Sequence, residues 1–409
     1  MEVLYERCCG LDVHKKLVVG CLIVPSSDGK PIKQIRSFGT MVKDLLALND
    51  WLKTAGCSHI AMESTGSYWK PVYNLLEGQF EILVVNAQHI KAVPGKKTDI
   101  KDSEWLADLL QHGLLKASFI PSAPQRELRE LLRYRTSLVE ERVRALNRVQ
   151  KVLEDSNIKL ASVVSDINGV SARAMLAKLL AGETNPEQIA DLARGRLREK
   201  REQLVEALAG KLKAHHCFML SELLGQVDFL DEVVERVNGE IEERMRPLEQ
   251  AIARLDTIPG VNQRIAQIVL GEVGEDLSRF ASAGHLASWA GLCPGNHQSA
   301  GKNYSGKTRK GNGALRQALV EAAHGAAASK QTYLRAQFRR IASRRGKKVA
   351  VVAVAHTILV IIYHLLTKQQ DYQELGESYF DEREKQAVEK RLVKRLEGLG
   401  YQVSLKPTG

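Results

Sequence analysis

The sequence predicts an α/β domain followed by mainly helical domains, an α/β plus all-α chain. Three observations predict it. Residues 6–121 alternate between strand-like and helix-like patterns, residues 125–255 repeat apolar side chains at steps of three and four, and a third stretch opens at the turn Ile258-Pro259-Gly260-Val261. Alternating strand and helix signals a layered α/β domain, whereas a sustained three-to-four step signals helices. A chain of 409 residues is also long enough for several domains, each with its own core. The expected divisions are 1–124, 125–255, 256–366 and a charged helical extension, 367–409.

Within the first domain, Cys8 to Asp12 and Leu17 to Val24 read as strands joined by a short turn, with Ile32 to Phe38 as a third. Met41 to Ala55 is an amphipathic helix, His59 to Met62 a short strand ending at Glu63, Tyr68 to Leu76 a helix and Glu81 to Val85 a strand. Asp99 to His112 is a helix with Ile100, Trp105, Leu106, Leu109 and Leu110 as its apolar residues. Further on, one apolar stripe runs from Leu128 to Leu153 and a second from Leu220 to Leu255. The second has coiled-coil spacing and reads as an oligomerisation arm, with a helical bundle inside one chain as the alternative. Pro247 should kink or break it. Arg194, Arg196, Arg198, Lys200 and Arg201 lie between the stripes, as a nucleic-acid contact or a solvated cluster.

The first domain also holds the chemistry. Asp12 and Glu63 each fall at the end of a strand-like run, and Asp99 and Asp102, three apart on a helix, share a face. Mg²⁺ and Mn²⁺ prefer hard oxygen ligands, and a pair of such ions suits in-line displacement at phosphorus. The set therefore points to phosphodiester chemistry. The layout is compatible with a ribonuclease H-like fold, in which acids on central strands and a late helix converge on metal. Plainer roles exist: a strand-end cap for Asp12, and complementing a helix macrodipole for Asp99 and Asp102. Glu104 and Asp108 are neighbouring acids able to replace one of the four. His14 and Lys15 suit either a phosphate contact or a polar turn.

Net charge is +11, and it is localised. From Lys302 to Lys348 there are thirteen Lys and Arg against one acid, Glu321, so the rest of the chain is close to neutral. Such a block is the electrostatic footprint of a polyanion, or else a solvated face. Cysteines 8, 9, 21, 57, 217 and 293 form no Cys-x-x-Cys pair, which disfavours zinc and redox motifs and fits small core residues in a reducing cytosol. No signal-peptide pattern is visible, and a cytoplasmic, nucleoid-associated protein is expected. The apolar run Val349 to Leu366 is interrupted by His356, Thr357, Tyr363 and His364, and reads as a buried helix rather than a membrane span. Aromatic residues are only 5%, which gives no stacking platform for reading single-stranded bases.

Ile258-Pro259-Gly260-Val261-Asn262 resembles a helix-hairpin-helix turn, whose backbone N–H groups can hold a phosphate. Trp289-Ala290-Gly291-Leu292-Cys293-Pro294 follows, then a loop containing Gln298-Ser299-Ala300-Gly301-Lys302, and Lys310-Gly311-Asn312. With Gly10-Leu11-Asp12-Val13-His14-Lys15, Met62-Glu63-Ser64-Thr65-Gly66 and the run Lys97 to Ala107, these motifs in this order resemble the DEDD transposases of bacterial insertion sequences, the one-hundred-ten family with its eleven-eleven subgroup. The resemblance covers residues 7 to about 366.

It implies a RuvC-like domain, a coiled-coil domain and a transposase domain with a serine nucleophile. It also implies recombination guided by a noncoding bridge or seeker RNA on double-stranded donor and target DNA, by a dimer or tetramer with no membrane partner. The family's acids fall on Asp12, Glu63, Asp99 and Asp102, its metals are two Mg²⁺ (or Mn²⁺) ions, and its serine falls on Ser299. Many relatives have Ser-Gly-Gly-Lys where this chain has Ser299-Ala300-Gly301-Lys302, and a positive φ would suit alanine less well. Tyr304 and Ser305 are competing nucleophiles on the same loop. Lys302, Lys307, Arg309 and Lys310 are expected to bind phosphates near Ser299, and Arg335, Arg339, Arg340, Arg344 and Arg345 to grip nucleic-acid backbone.

Overall fold

A computed structural model describes residues 2–26, 30–64, 66–86, 102–295, 297–299, 302–383 and 385–404. The chain divides into two compact units, Met1–Ile120 and Pro121–Gly409.

The first unit is α/β. Strands β1 (Cys8–Val13), β2 (Leu17–Val24) and β3 (Ile32–Gly39) form an antiparallel meander. Helix α1 (Val42–Thr54) leads to β4 (His59–Glu63), and α2 (Trp69–Leu76) to β5 (Glu81–Val85). Among the described residues these strands make one five-stranded sheet of order β3-β2-β1-β4-β5, in which β1, β4 and β5 run parallel. Side chains alternate across the sheet. Cys9, Leu11, Leu22, Ile60 and Met62 pack on one face with Leu48 and Leu52 of α1 and Leu76 of α2. Cys8, Cys21, Ile23 and Ala61 pack on the other with Ala107 and Leu110 of α3 (Asp102–Gln111). The elements expected from the sequence are present to within a residue or so, apart from the start of the last helix, which falls outside the described residues.

The second unit is mainly helical. Helix α4 (Ala123–Asp155) packs on α9 (Ala214–Met245) within the chain, tied by Arg142–Asp231 and Arg244–Glu127. Between them the chain folds back through α5 (Leu160–Val163), α6 (Val170–Leu180), α7 (Pro186–Ala190) and α8 (Arg201–Ala207). Their apolar residues share a core with Val149, Leu153, Leu220 and Leu224 of the long helices. The stripe through Leu255 breaks where Pro247 demands it: α9 ends at Met245, a 3₁₀ turn spans Arg246–Leu248, and α10 is Glu249–Asp256.

Then come α11 (Gln263–Val273), α12 (Ala283–Trp289), a two-stranded hairpin of β6 (His297–Ser299) and β7 (Lys302–Ser305), α13 (Gly313–Ala328), α14 (Tyr333–Arg345) and α15 (Lys347–Lys368). Helix α15 is long and apolar enough to cross a membrane. Half of that stretch is nevertheless buried in the unit, against α12, α13 and α14. Helices α16 (Tyr379–Arg383) and α17 (Lys385–Glu397) end the described chain.

Candidate functional site

The candidate carboxylates that the structure describes lie on β1, β4 and α3. Alternation puts Cys8, Gly10 and Asp12 on one face of β1. The Cys8 thiol points at the Ala107 carbonyl, 3.8 Å away. A β-carbon on Gly10 would lie 2.2 Å from the Ser103 carbonyl oxygen and 2.5 Å from the Ala107 nitrogen. Moving along the strand from Cys8 to Gly10 thus steps along the helix from Ala107 towards Ser103. Asp12, one step further on the same face, comes level with the start of α3, whose first residue is Asp102.

Neighbouring β4 runs parallel to β1 with Leu11 beside Met62. The paired register ends there, and extending it by one residue sets Asp12 beside Glu63. Glu63 shares the face of Ala61, which packs with Cys8 and Ala107. Asp12, Glu63 and Asp102 are all half-buried. Strand register and helix phase place Asp12 and Glu63 at the ends of β1 and β4 and Asp102 at the start of α3, although among the described residues the one set of three ligand atoms within 4.8 Å of one another is that of Asp155, His215 and His216; Asp99 lies outside the described residues.

The surrounding groups are now distinguishable. His14 Nε2 lies 3.0 Å from Asp12 Oδ2, so this histidine contacts the acid directly. The Lys15 carbonyl accepts from the Thr40 hydroxyl at 3.1 Å, which holds the turn. Asp108 accepts from Lys33 Nζ of β3 at 2.7 Å, more than a helical turn beyond Asp102. It is therefore engaged elsewhere and is a poor replacement for one of the four.

Ser299 ends β6 and pairs with Lys302, the first residue of β7; Ala300 and Gly301 lie outside the described residues, and with them the question of a positive φ at Ala300. Gln298 pairs with Asn303 and His297 with Ser305, after a bulge. Below the hairpin, Pro294 bridges Thr308 and Gly295 N–H donates to the Lys307 carbonyl at 2.8 Å. Lower still, Gly291 has φ +72° and a β-carbon on Gly311 would stand 2.3 Å from its nitrogen, so both positions need glycine. Lys307, Arg309 and Lys310 are exposed at this base.

Gly260 has φ +87°, and a β-carbon there would lie 2.2 Å from the Ala322 carbonyl oxygen. The Ile-Pro-Gly-Val motif is thus explained by close packing on α13. The helix start that follows is capped by Asn262 itself, whose side chain accepts from Ile265 N–H at 2.9 Å.

A DEDD transposase model of the IS110 type matches residues 9–158, and the model of the transposase IS116/IS110/IS902 family matches residues 252–339. The chain belongs to this family of transposases. It is 26% identical over 336 residues to the transposase for insertion sequence element IS1111A of Coxiella burnetii, covering 78% of this chain and 79% of that one. It is 25% identical over 324 residues to a probable family 20 transposase of Pseudomonas aeruginosa, covering 77% and 85%. A transposase for insertion sequence element IS1328 of Yersinia enterocolitica is 24% identical over 280 residues, covering 68% and 73%. The first family match contains Asp12, Glu63, Asp99 and Asp102, and the second contains Ser299 and its hairpin.

In this family member the arginines of α14 are partly engaged. Arg339 pairs with Glu377 at 2.9 Å, and the Arg340 guanidinium lies 5.3 Å from the centre of the Phe380 ring. Arg335 is half-buried; Arg344 and Arg345 are exposed.

Two features carry no obvious sequence signal. Asp155, His215 and His216 offer possible metal-ligand atoms within 4.8 Å of one another. His216 Nδ1, however, accepts from Lys213 N–H at 3.3 Å, which leaves the ring proton on Nε2, facing Asp155 Oδ2 at 3.2 Å. That arrangement ties the end of α4 to the start of α9. The second feature is Glu272, a carboxylate only 1% exposed and held by Arg129, Arg133 and Asn312. The one hint of it in the sequence is an acid enclosed by the apolar run Ile268 to Val273.

Proposed function

We propose that this protein is an insertion-sequence transposase that cuts and rejoins double-stranded DNA through a covalent phosphoserine. The observation that supports the reading is that Asp12 and Glu63 fall at the ends of two adjacent parallel strands and Asp102 at the start of the helix packed on them. Their donors are all carboxylate oxygens on half-exposed side chains, a set that fits hard divalent cations. Together with Asp99 they would hold Mg²⁺ or Mn²⁺, two ions per site. When bound, such ions stabilise charge on a phosphate under attack and ease deprotonation of a hydroxyl.

Serine is a poor nucleophile without such help. Ser299 Oγ attacks a DNA phosphorus, a P–O bond to a deoxyribose oxygen breaks, and that oxygen leaves as a hydroxyl. A hydroxyl from a different strand then attacks the phosphoserine and regenerates Ser299. One phosphodiester is lost and one formed, so no nucleoside triphosphate is consumed. Lys302, Lys307, Arg309 and Lys310 bind phosphates beside the serine, while Arg335, Arg339, Arg340, Arg344 and Arg345 hold backbone.

The sheet order, with β2 antiparallel and β1, β4 and β5 parallel, supports a RuvC-like assignment for residues 1–124. Residues 125–255 serve as a coiled-coil arm for a dimer or tetramer; exposed Phe218, Met219 and Phe229 on α9 support self-association. Residues 256–366 are the serine-bearing domain, and 367–409 an extension. Sequence choice is delegated to a noncoding guide RNA, which suits a basic, aromatic-poor protein that mainly holds backbone. The setting is the bacterial cytoplasm.

The test is covalent trapping. Protein with its co-purified RNA is incubated with labelled donor and target duplexes in Mg²⁺ and then denatured. A protein–DNA adduct that disappears in Ser299→Ala and in Asp12→Ala is the expected result. Cleavage with no adduct, indifferent to Ser299→Ala, would replace this reading with a hydrolytic RuvC-like junction endonuclease.

A further inference from the structure

We infer that Glu272, acting through Asn312, is a positioning residue for the hairpin that carries Ser299. The functional half of this inference rests on Ser299 being the nucleophile; the mechanical half stands on geometry alone.

Glu272 lies in the last turn of α11. Arg133 grips it with two parallel hydrogen bonds, Nε to Oε1 at 2.7 Å and Nη2 to Oε2 at 2.9 Å. Arg129 Nε approaches Oε2 at 3.0 Å. A bidentate guanidinium fixes the plane of a carboxylate as well as neutralising it. So fixed, Oε2 accepts a further bond from Asn312 Nδ2 at 2.6 Å.

Asn312 is held from three sides. Its Oδ1 accepts from Leu315 N–H at 3.1 Å and caps α13, its Nδ2 reaches the carboxylate, and its own N–H donates to the Trp289 carbonyl at 3.2 Å. The residue before it, Gly311, is the one pressed against Gly291. Both chains of the stalk, 289–295 and 307–312, are therefore clamped at the level of Asn312. Above the clamp, the Pro294–Thr308 bridge, the Gly295 to Lys307 hydrogen bond and the short ladder up to Ser299 join the two chains of the stalk among the described residues. Arg316 Nη1 adds a bond to the Gly291 carbonyl at 3.3 Å.

A nucleophile must be held to a fraction of an ångström, and a displacement of about 1 Å is able to cost ~100-fold in rate. Apolar packing would stabilise this junction as well as a buried ion pair does, and often better. What the carboxylate adds is direction: it aims one hydrogen bond at one side chain, and that side chain sets the base of the serine hairpin.

The experiment uses the full chain carrying Asn312→Ser. Serine still caps α13 through its hydroxyl but cannot reach Glu272. The first readout is amide hydrogen exchange over residues 294–308, followed at the Gly295 N–H. The second is the single-turnover rate of adduct formation at Ser299, measured beside duplex affinity and the melting temperature. The expected result is at least ~10-fold faster exchange confined to the stalk, with a ~10- to 100-fold slower adduct rate and duplex affinity within about twofold of wild type. Unchanged stalk exchange would overturn the inference whatever the chemistry does. A loss spread evenly over the second unit would also overturn it, by making Asn312 an ordinary structural residue. A stalk that loosens while even the wild-type protein gives no adduct would leave the clamp standing and remove Ser299 from its assigned role.

Discussion

Gly10 and Ser103 touch backbone to backbone: a β-carbon on the glycine would stand 2.2 Å from the serine's carbonyl oxygen. This contact sets the height at which α3 crosses β1, and so the position of Asp102, the first residue of α3, along the strand that carries Asp12. Gly10→Ala should push the helix outward. A cost of about 1–3 kcal/mol is expected from overpacking, read from urea unfolding. Mn²⁺ affinity, measured by calorimetry, should fall in the folded variant; unchanged affinity would separate the helix from the site.

Asp12 and Asp108 offer a sharper comparison, because both are acids near one helix with different duties. Asp12→Asn should abolish tight Mn²⁺ binding while changing the melting temperature little, since the side chain is half-exposed. Asp108→Asn loses a surface pair with Lys33, worth within about 1 kcal/mol, and should leave Mn²⁺ binding intact. Equal effects from the two would argue against a site at Asp12.

Glu272→Gln removes the charge and leaves Arg129 and Arg133 without their counter-ion. Burial already draws the Arg129 guanidinium below its usual range, and Glu272 opposes that shift. Destabilisation by about 3–5 kcal/mol is expected from equilibrium unfolding, far more than a surface acid would give.

The buried thiols predict an alkaline limit. Burial pushes Cys8 and Cys57 up to about 12 and Cys21 to about 11, from an ordinary value of 9.0. Below pH 9 these thiols are protonated in both folded and unfolded chains, and their stabilising contribution is complete. Between pH 9 and 12 the unfolded chain ionises while the folded one does not, so stability falls as pH rises. Unfolding free energies at pH 8 and pH 10 should differ less in Cys8→Ala than in the wild type. An Ellman reagent should leave Cys8, Cys9, Cys21 and Cys57 untouched at pH 8 until the protein unfolds.

Arg344 and Arg345 are exposed at the end of α14. If both meet phosphates, the double alanine variant should weaken duplex binding and lower the slope of log affinity against log salt by roughly 2, at about 0.9 per contact. An unchanged slope would leave them as solvated charges.

Much of the first unit was legible in the sequence. Cys8 to Asp12 and His59 to Glu63 are short, mainly apolar runs that end in acids, and a strand's alternation already places Asp12 on the face of Gly10 and Cys8. The hairpin was legible only as a glycine-rich loop. Glu272 was not legible, because its meaning depends on Arg129 and Arg133 about 140 residues earlier and on Asn312, 40 residues later. Nor did periodicity resolve the short helices between Leu160 and Ala207, whose apolar residues point into a shared core with the two long helices rather than along one stripe.

The compactness of Met1–Ile120 also bears on how the protein is made. All four candidate acids precede residue 103, whereas Ser299 is translated about 200 residues later. At about 5–20 residues per second, that gap is roughly 10–40 s. A nascent chain therefore completes the strands and helix that carry Asp12, Glu63 and Asp102 well before the hairpin of Ser299 is made. On the proposed mechanism, strand exchange would have to wait until synthesis has passed that hairpin.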